Sequence, residues 1–303
     1  MITLARGLSY FDLQFLGMRR IIATAALHGA GGVALVDPGP SSTLPALRAA
    51  LADAGIQPSD VRALVLTHIH LDHAGAAGTL VRERPDLRVY VHEKGAPHMV
   101  DPSKLLASAS RLYGADMDRL WGEVLPVPQD ALVVLNGGER LSVVGRDLDV
   151  MYTPGHASHH VSYLASDAGI AFVGDTAGVR LNPGGFILPP TPPPDIDLAL
   201  WRDSLARIER WGADTLFITH FGPHNGAAAH LAEMADHLDW ASGLVKASLG
   251  QPGEDADREE WFIAESRREL LRRTTPSDVN AYELAGRLDL SWRGLARYWR
   301  KRT

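Results

Sequence analysis

Three histidines and one aspartate lie within six consecutive positions of the chain, 68–73, where the sequence reads HIHLDH. Imidazole nitrogens and carboxylate oxygens are ligands that zinc, iron and manganese accept in proteins. His68 and His70 are two apart in extended chain, so their side chains point to the same side. Asp72 and His73 follow where the chain turns into a helix, and they can face a second point nearby. The spacing therefore predicts that one short loop serves two metal ions.

Short apolar strands that alternate with helical stretches position this loop. Strands are predicted at 33–37, 61–67, 87–92, 132–135, 141–144, 148–152, 161–165, 170–173 and 215–219. Those between 132 and 173 follow one another through glycine-containing turns, which is typical of antiparallel pairs. The others are separated by predicted helices, at 43–54, 75–84 and 196–211. This mixture favours an α/β fold with mixed sheets over a purely parallel sheet.

The composition excludes several kinds of chemistry and partner. The chain has 303 residues, a formal net charge of −6 and no cysteine. Disulfides, thiolate ligands and thiol nucleophiles are therefore ruled out, and no overall positive field attracts nucleic acid or an acidic membrane. The longest apolar stretches are far short of the ~20 residues of a membrane span, and residues 1–10 lack a secretory signal pattern. We expect a cytoplasmic protein with a small-molecule substrate, no nucleic-acid partner and no membrane association.

Four further segments match, in order, the motifs of a known family. The chain reads VDPG at 36–39, TPGH at 153–156, VGDT at 173–176 and ITHFG at 218–222. Together with HIHLDH they resemble the metallo-β-lactamase superfamily, whose hallmark is H-x-H-x-D-H after a buried strand. The resemblance covers about residues 20–225, and five ordered motifs are far more specific than one.

The resemblance implies a four-layer αββα sandwich of two mixed β-sheets, with the site at one edge between the sheets. It implies seven metal ligands, three for a first ion, three for a second and a bridging carboxylate: His68, His70 and His156; Asp72, His73 and His220; and Asp175. Asp37 would support the histidine loop, and His160 is a candidate for orienting a ligand. Zinc is the expected metal, with iron or manganese as alternatives.

The remaining histidines are assigned to other environments. Positions 157–160 read ASHH where related hydrolases often carry T-x-G-H, so the first and third positions depart from the motif. We expect the histidine at the third of them, His159, at the surface. His92 and His224 are further candidates for the pocket. Solvent-facing or capping positions are expected for the rest: His28, His98, His230 and His237.

Two cations ~3.5–4 Å apart can share a hydroxide, because they lower the pKa of bound water from about 15.7 to near 7. This hydroxide attacks a carbonyl or phosphorus centre, and one metal stabilises the developing oxyanion. Asp72 can take part in proton transfer, while Asp175 holds the two ions together. The sequence therefore predicts a binuclear metallo-hydrolase.

Cleavage of a small thioester, ester or lactone is the leading functional hypothesis, because a bridging Asp175 points to the hydroxyacylglutathione-hydrolase and lactonase side of the superfamily. The lactamases that use a cysteine ligand are excluded. A phosphodiesterase or nuclease is an alternative, against which the acidic charge argues. A single-iron oxygenase resembling the persulfide dioxygenases is another, since these retain the H-x-H-x-D-H motif. Retention of all seven candidate ligands argues against a non-catalytic binding protein.

Two segments outside the motifs bear on the substrate. Residues 182–194 are too rich in proline for a regular element, and we interpret them as a pocket wall rather than a rigid connector. Phe186 and Ile187 are its expected substrate contacts.

The sequence also predicts two regions, a catalytic domain at 1–226 and a helical extension at 227–303. Helices are predicted at Ala227–Leu249, 259–273 and 276–300. The extension contains four tryptophans, at 240, 261, 292 and 299, and their apolar surface must be buried somewhere. The resemblance suggests that these helices help to form the pocket. The alternatives are that they only pack on the sandwich or join two copies in a homo-oligomer.

Overall fold

The computed structural model describes residues 1–302, which form thirteen strands and eleven α-helices. The strands are β1 (Ile2–Ala5), β2 (Leu8–Asp12), β3 (Ala23–Gly29), β4 (Gly32–Val36), β5 (Val61–Val65), β6 (Arg88–His92), β7 (Leu132–Leu135), β8 (Arg140–Val143), β9 (Arg146–Tyr152), β10 (Val161–Ala165), β11 (Ile170–Phe172), β12 (Thr215–Ile218) and β13 (Gly222–Asn225). The helices are α1 (Leu44–Asp53), α2 (Leu71–Ala74), α3 (Ala77–Glu83), α4 (Ala96–Val100), α5 (Ser103–Tyr113), α6 (Met117–Trp121), α7 (Leu198–Arg210), α8 (Ala227–Leu249), α9 (Asp255–Leu271), α10 (Pro276–Gly286) and α11 (Leu288–Arg300).

The strands form two mixed sheets. The first contains β1 to β7 in chain order, and the second has the order β13-β12-β11-β10-β9-β8. In the first sheet, β4, β5, β6 and β7 are mutually parallel, while β1 to β4 pair antiparallel. In the second sheet only β11 and β12 are parallel. Each sheet therefore has a parallel part whose carboxyl ends can present side chains at one edge.

Alternation along the strands produces the layers. Val36 of β4 and Phe172 of β11 lie in a core between the two sheets. Their neighbours Leu35 and Ala171 lie in two outer cores, because successive side chains of a strand point to opposite faces. Helices α1 and α3 to α6 cover the first sheet, and α7, α8 and α11 cover the second. The predicted four-layer αββα sandwich is confirmed.

Every predicted strand is present, with ends that differ by at most two residues. The strand patterns did not identify β1, β2, β3 and β13, nor did the helical patterns identify α4 to α6. The strand β3 reads ATAALHG, and alanine is a poor strand former, so its extended conformation depends on pairing with β2 and β4.

The C-terminal helices share their cores with the sandwich. Trp292 and Leu295 of α11 lie in the same apolar cluster as Ile218 of β12, and Tyr282 of α10 packs with the helices of the first sheet. The change from strands to helices falls between β13 and α8, but the division into two domains at residue 226 stays a prediction. No helix within residues 1–302 combines the length and apolarity that crossing a membrane requires.

Candidate metal centre

The seven predicted metal ligands follow strand ends and converge at one edge of the sandwich. The histidine loop follows β5, and His220 follows β12. Asp175 comes three residues after the end of β11, and His156 comes four residues after the end of β9. Because β5 and β11 belong to different sheets, the centre draws its ligands from both. This matches the edge position that the resemblance implies.

The first group of ligands contains His68, His70, His156 and Asp175, whose candidate ligand atoms all lie within 4.8 Å of one another. His70 Nδ1 is 3.0 Å from Nε2 of His68 and 3.0 Å from Nε2 of His156. Nitrogens that are about 2.0–2.1 Å from a tetrahedral zinc ion lie roughly 3.3 Å apart. The spacing of the three imidazoles is therefore close to that of a zinc site.

The second group contains Asp72, His73 and His220. Asp72 Oδ2 is 3.3 Å from His220 Nε2 and 3.6 Å from His73 Nε2. All three come from the adjoining ends of the histidine loop and β12. The donor set is two imidazoles and one carboxylate, which suits zinc, iron or manganese.

Asp175 lies between the two groups. Its Oδ1 is 3.2 Å from His73 Nε2 and 3.5 Å from His220 Nε2, in the second group. Its Oδ2 is 3.4 Å from His156 Nε2, in the first group. Each carboxylate oxygen thus faces a different group, as a bridging carboxylate would.

Hydrogen bonds behind the centre fix three of the imidazole tautomers. Nδ1–H of His73 donates to Asp37 Oδ2 at 2.9 Å. Nδ1–H of His156 donates to the carbonyl oxygen of Pro190 at 2.8 Å, and Nδ1–H of His220 donates to that of Ile21 at 2.7 Å. In a neutral imidazole this leaves the Nε2 lone pair free and directed at the centre. Such outer partners are typical of metal-ligating histidines.

Three buried polar atoms at the centre have no hydrogen-bond partner among the described residues: His73 Nε2, His220 Nε2 and Asp175 Oδ1. An unsatisfied buried polar atom costs about 1–3 kcal/mol, so native proteins rarely keep several together. A cation bound among these atoms would satisfy all three at once. The residues therefore fit a metal ion at the second group.

Asp37 ties the strand ends to the centre. It is 1% exposed and accepts hydrogen bonds from the backbone N–H of Thr67 at 2.8 Å and its hydroxyl at 2.7 Å. It also accepts from Thr219 Oγ1 at 3.0 Å and from His73. The carboxylate thus links the ends of β4, β5 and β12 to a candidate ligand.

The histidines of the two groups differ in the direction of their pKa shifts. Burial lowers the pKa of His68 and His156, and it lowers that of His70 to about 4. Burial also opposes the charged form of His73 and His220, but the carboxylates of Asp175 and Asp72 outweigh it and raise both pKa values. The imidazoles of His68, His70 and His156 are therefore neutral at physiological pH before metal binds, whereas the raised pKa values favour the protonated forms of His73 and His220.

His160 and His159 both lie inside the protein. His160 is buried, with Nδ1 3.0 Å from Thr153 Oγ1 and its ring stacked 4.9 Å from that of His68. The surface position expected for His159 is wrong, because it is 8% exposed and its ring lies 5.6 Å from that of His70. Residues 157–160 (ASHH) follow a sharp turn. The sequence around this turn does not indicate which other segment of the chain packs over it, so the burial of His159 could not be predicted.

The other histidines are distributed differently from the prediction. His230 and His237 are buried rather than solvent-facing: their ring N–H groups donate to the carbonyl oxygens of Ala177 and Ile187, both at 2.8 Å. His224 bonds to the carbonyl oxygen of Arg180 at 3.1 Å. The hydrogen bonds of these three histidines connect the segment after Asp175 to β13 and α8.

His92 stacks on Tyr152 at 4.4 Å. His98 lines a cavity beside the candidate ligands, and His28 Nε2 is hydrogen-bonded to Ser9 Oγ at 2.8 Å.

A cavity of about 280 Å³ opens beside the candidate metal ligands. Its walls are the histidine loop, α5, the proline-rich segment and the start of α11. Phe186 and Ile187 do not line it; they are buried under α8, where Phe186 stacks on His237 at 4.1 Å. The prolines further along the segment, Pro190 and Pro192 to Pro194, form the wall instead.

Comparison with known proteins identifies the family. A model of the metallo-beta-lactamase superfamily matches residues 20–220. The chain belongs to this superfamily. A metallo-β-lactamase fold-containing protein of Sulfurisphaera tokodaii is 34% identical over 148 residues, which are 48% of this chain and 54% of that protein.

A hydroxyacylglutathione hydrolase of Erwinia tasmaniensis is 30% identical over 150 residues, which are 48% of this chain and 43% of that enzyme. The chain therefore spans about half the length of these relatives. A metallo-β-lactamase family protein of Thermus thermophilus has the same fold over 99% of this chain and 95% of its own, with a TM-score of 0.71 and 24% identity.

Proposed function

We propose that this protein is a binuclear metal-dependent hydrolase that cleaves a small acyl compound, with a thioester as the first candidate. The observation that supports it most directly is the carboxylate of Asp175. Its two oxygens face two separate ligand groups, and one of them is buried without a hydrogen-bond partner among the described residues. This arrangement suits two cations better than one.

Two divalent ions would supply a hydroxide at neutral pH and positive charge for the developing oxyanion. Residues of the protein would orient the reacting groups and transfer protons beside these ions. Burial raises the pKa of Asp72, but His73 and His220 outweigh it and lower that pKa to about 2, so the carboxylate is ionised. Asp72 also lines the cavity. It is therefore placed to accept a proton from the attacking water and pass it to the leaving atom.

The size and charge of the cavity, together with the relatives, narrow the range of candidate substrates. A volume of about 280 Å³ admits a small acyl group with part of its leaving group. Three cationic side chains line it, Lys94, Lys104 and Arg287, which suits a compound that has a carboxylate or phosphate. Relatives named hydroxyacylglutathione hydrolase support a thioester, although they align with under half of their length.

The test loads metal-stripped protein separately with zinc, iron(II) and manganese. Bound metal is measured, and each form is assayed on glutathione and coenzyme A thioesters, an aryl ester, a lactone and a phosphodiester. We expect two ions per chain and thioester cleavage, with stripped protein as the inactive control. One iron per chain with oxygen uptake on a persulfide would instead identify an oxygenase, and activity on the phosphodiester alone would identify a phosphodiesterase.

A further inference from the structure

His159 lies in the cavity wall beside the metal-binding residues but belongs to neither ligand group. Its ring is 5.6 Å from that of His70 and 6.1 Å from that of His68, centroid to centroid. Related hydrolases often have glycine at the matching position of the T-x-G-H motif. An imidazole here is therefore a feature of this chain that the metal centre itself does not require.

One hydrogen bond sets the tautomer of His159. The backbone N–H of Ile69, between two candidate ligands, donates to His159 Nδ1 at 3.4 Å. A neutral imidazole has one proton, so accepting at Nδ1 places that proton on Nε2. Within residues 1–302 no protein group is hydrogen-bonded to this Nε2. The free N–H belongs to a ring that lines the cavity, so it is available to a molecule bound there.

Hydrogen bonds of the residues before and after His159 fix the position of its backbone. Tyr152 Oη donates to the carbonyl oxygen of Ser158 at 2.8 Å, and Ser158 Oγ donates to Asp195 Oδ2 at 2.6 Å. On the other side, the backbone N–H of Thr153 donates to the carbonyl oxygen of His160 at 3.0 Å. A donor fixed in this way needs little reorganisation when charge develops on a substrate.

We propose that His159 contacts the substrate and that its Nε2–H donates to an oxygen of the acyl half. This rests on the proposed hydrolase function. His159 packs on two ligands of the first group, whereas Asp72, which passes the proton to the leaving atom, belongs to the second. The leaving atom therefore lies on the side of Asp72, and the acyl half lies on the side of His159.

The first test is the His159→Gly variant, which introduces the residue common in related hydrolases. We expect unchanged metal content and a loss of about 100-fold in kcat/KM, as for removal of one oxyanion donor. Added imidazole should restore part of the activity. Added 1-methylimidazole, which can accept from Ile69 but has no N–H to donate, should not. The same additions to the wild-type protein are the control for inhibition.

Two thioesters of one thiol, a simple acyl and an α-hydroxyacyl compound, identify the oxygen. A loss on both indicates the carbonyl oxygen, and a loss on the hydroxyacyl compound alone indicates the α-oxygen; either supports the proposal. Wild-type rates in the variant, or equal rescue by both imidazoles, would overturn it.

A second measurement does not depend on activity. Long-range 1H–15N spectra of metal-loaded protein with labelled histidine report each tautomer, and the signal missing from His159→Gly belongs to His159. We expect the Nε2–H form. An Nδ1–H form overturns the proposal. If the wild type cleaves no acyl compound while His159 is Nε2–H, the proposed function fails and this donor has no acyl substrate, which also overturns the inference.

Discussion

At the scale of single residues, the two carboxylates and five imidazoles of the centre are not equivalent. Asp175 is 4% exposed and contacts both ligand groups, whereas His160 contacts the first group only through its ring. In the proposed binuclear centre, loss of the shared anion would leave the positive charges of two ions uncompensated. Loss of a packed ring leaves every ligand atom in place.

Asp175→Ala should therefore be more damaging than His160→Ala. We expect the first variant to bind at most one ion per chain and to lose nearly all activity. The second should keep both ions, with an effect of about 10–100-fold on affinity or activity, as for outer partners of metal ligands. Elemental analysis and kcat/KM of both variants check this. Loss of metal in His160→Ala with two ions in Asp175→Ala would reverse the assignment.

Acidification should release the ion of the second group first. Burial opposes protonation of His73 and His220, but Asp175 and Asp72 outweigh it and raise both pKa values, so these imidazoles hold protons that a metal must displace. Burial lowers the pKa of His70 to about 4, so protons compete at the first group only at lower pH.

Metal content measured after dialysis at decreasing pH should fall in two steps, and the ion of the second group should be released at the higher pH. The variant His220→Ala, impaired in the second group, should lack the first step and retain the other. Simultaneous release of both ions from the wild type would contradict this order.

At the scale of secondary-structure elements, Asp37 connects the ends of three strands through its hydrogen bonds. It follows β4, and its partners Thr67 and Thr219 follow β5 and β12, which belong to different sheets. Four donors around one buried carboxylate leave no acceptor for an amide N–H.

Asp37→Asn should consequently weaken metal binding by about 10–100-fold and lower the melting temperature, because an amide donor would face groups that already donate. Thr219→Val is the matched control, since it removes one of the four bonds and should cost about 1 kcal/mol of unfolding free energy. Metal titration and thermal unfolding of both proteins measure this. A variant Asp37→Asn with wild-type metal affinity would show that the carboxylate does not orient His73.

At the scale of the whole molecule, the C-terminal helices complete the cavity of the sandwich. Ala285, Gly286, Arg287 and Leu290 lie in its wall. The proline-rich wall is hydrogen-bonded to α11, because Thr191 Oγ1 donates to the carbonyl oxygen of Ser291 at 3.2 Å. A methyl group added at Gly294 would overlap the carbonyl oxygen of Thr191. The helices and the proline-rich wall thus have to fit each other closely.

Gly294→Ala should displace this wall and raise KM several-fold, and it should weaken metal binding as well, because Pro190 beside Thr191 accepts the hydrogen bond of the candidate ligand His156. Gly243→Ala, in α8 with open space around it, is the matched control and should be neutral or stabilising by about 0.5–1 kcal/mol. Steady-state kinetics and metal analysis separate the outcomes. An unchanged KM in Gly294→Ala would mean that α11 does not shape the substrate site. A homo-oligomer formed through these helices stays a prediction.

The sequence by itself determined the types and order of the candidate metal ligands, because they follow strand ends that apolar runs locate. It also located α8 to the residue, since its apolar spacing is purely local. Only the tertiary structure decided what surrounds those residues. His159 packs on His68 and His70 of the histidine loop, and Phe186 packs on His237 of α8, so both positions depend on segments far away in the chain. A local sequence pattern indicates which residues are buried, but not which distant segment buries them. The residues of the cavity wall could therefore be identified only in the tertiary structure.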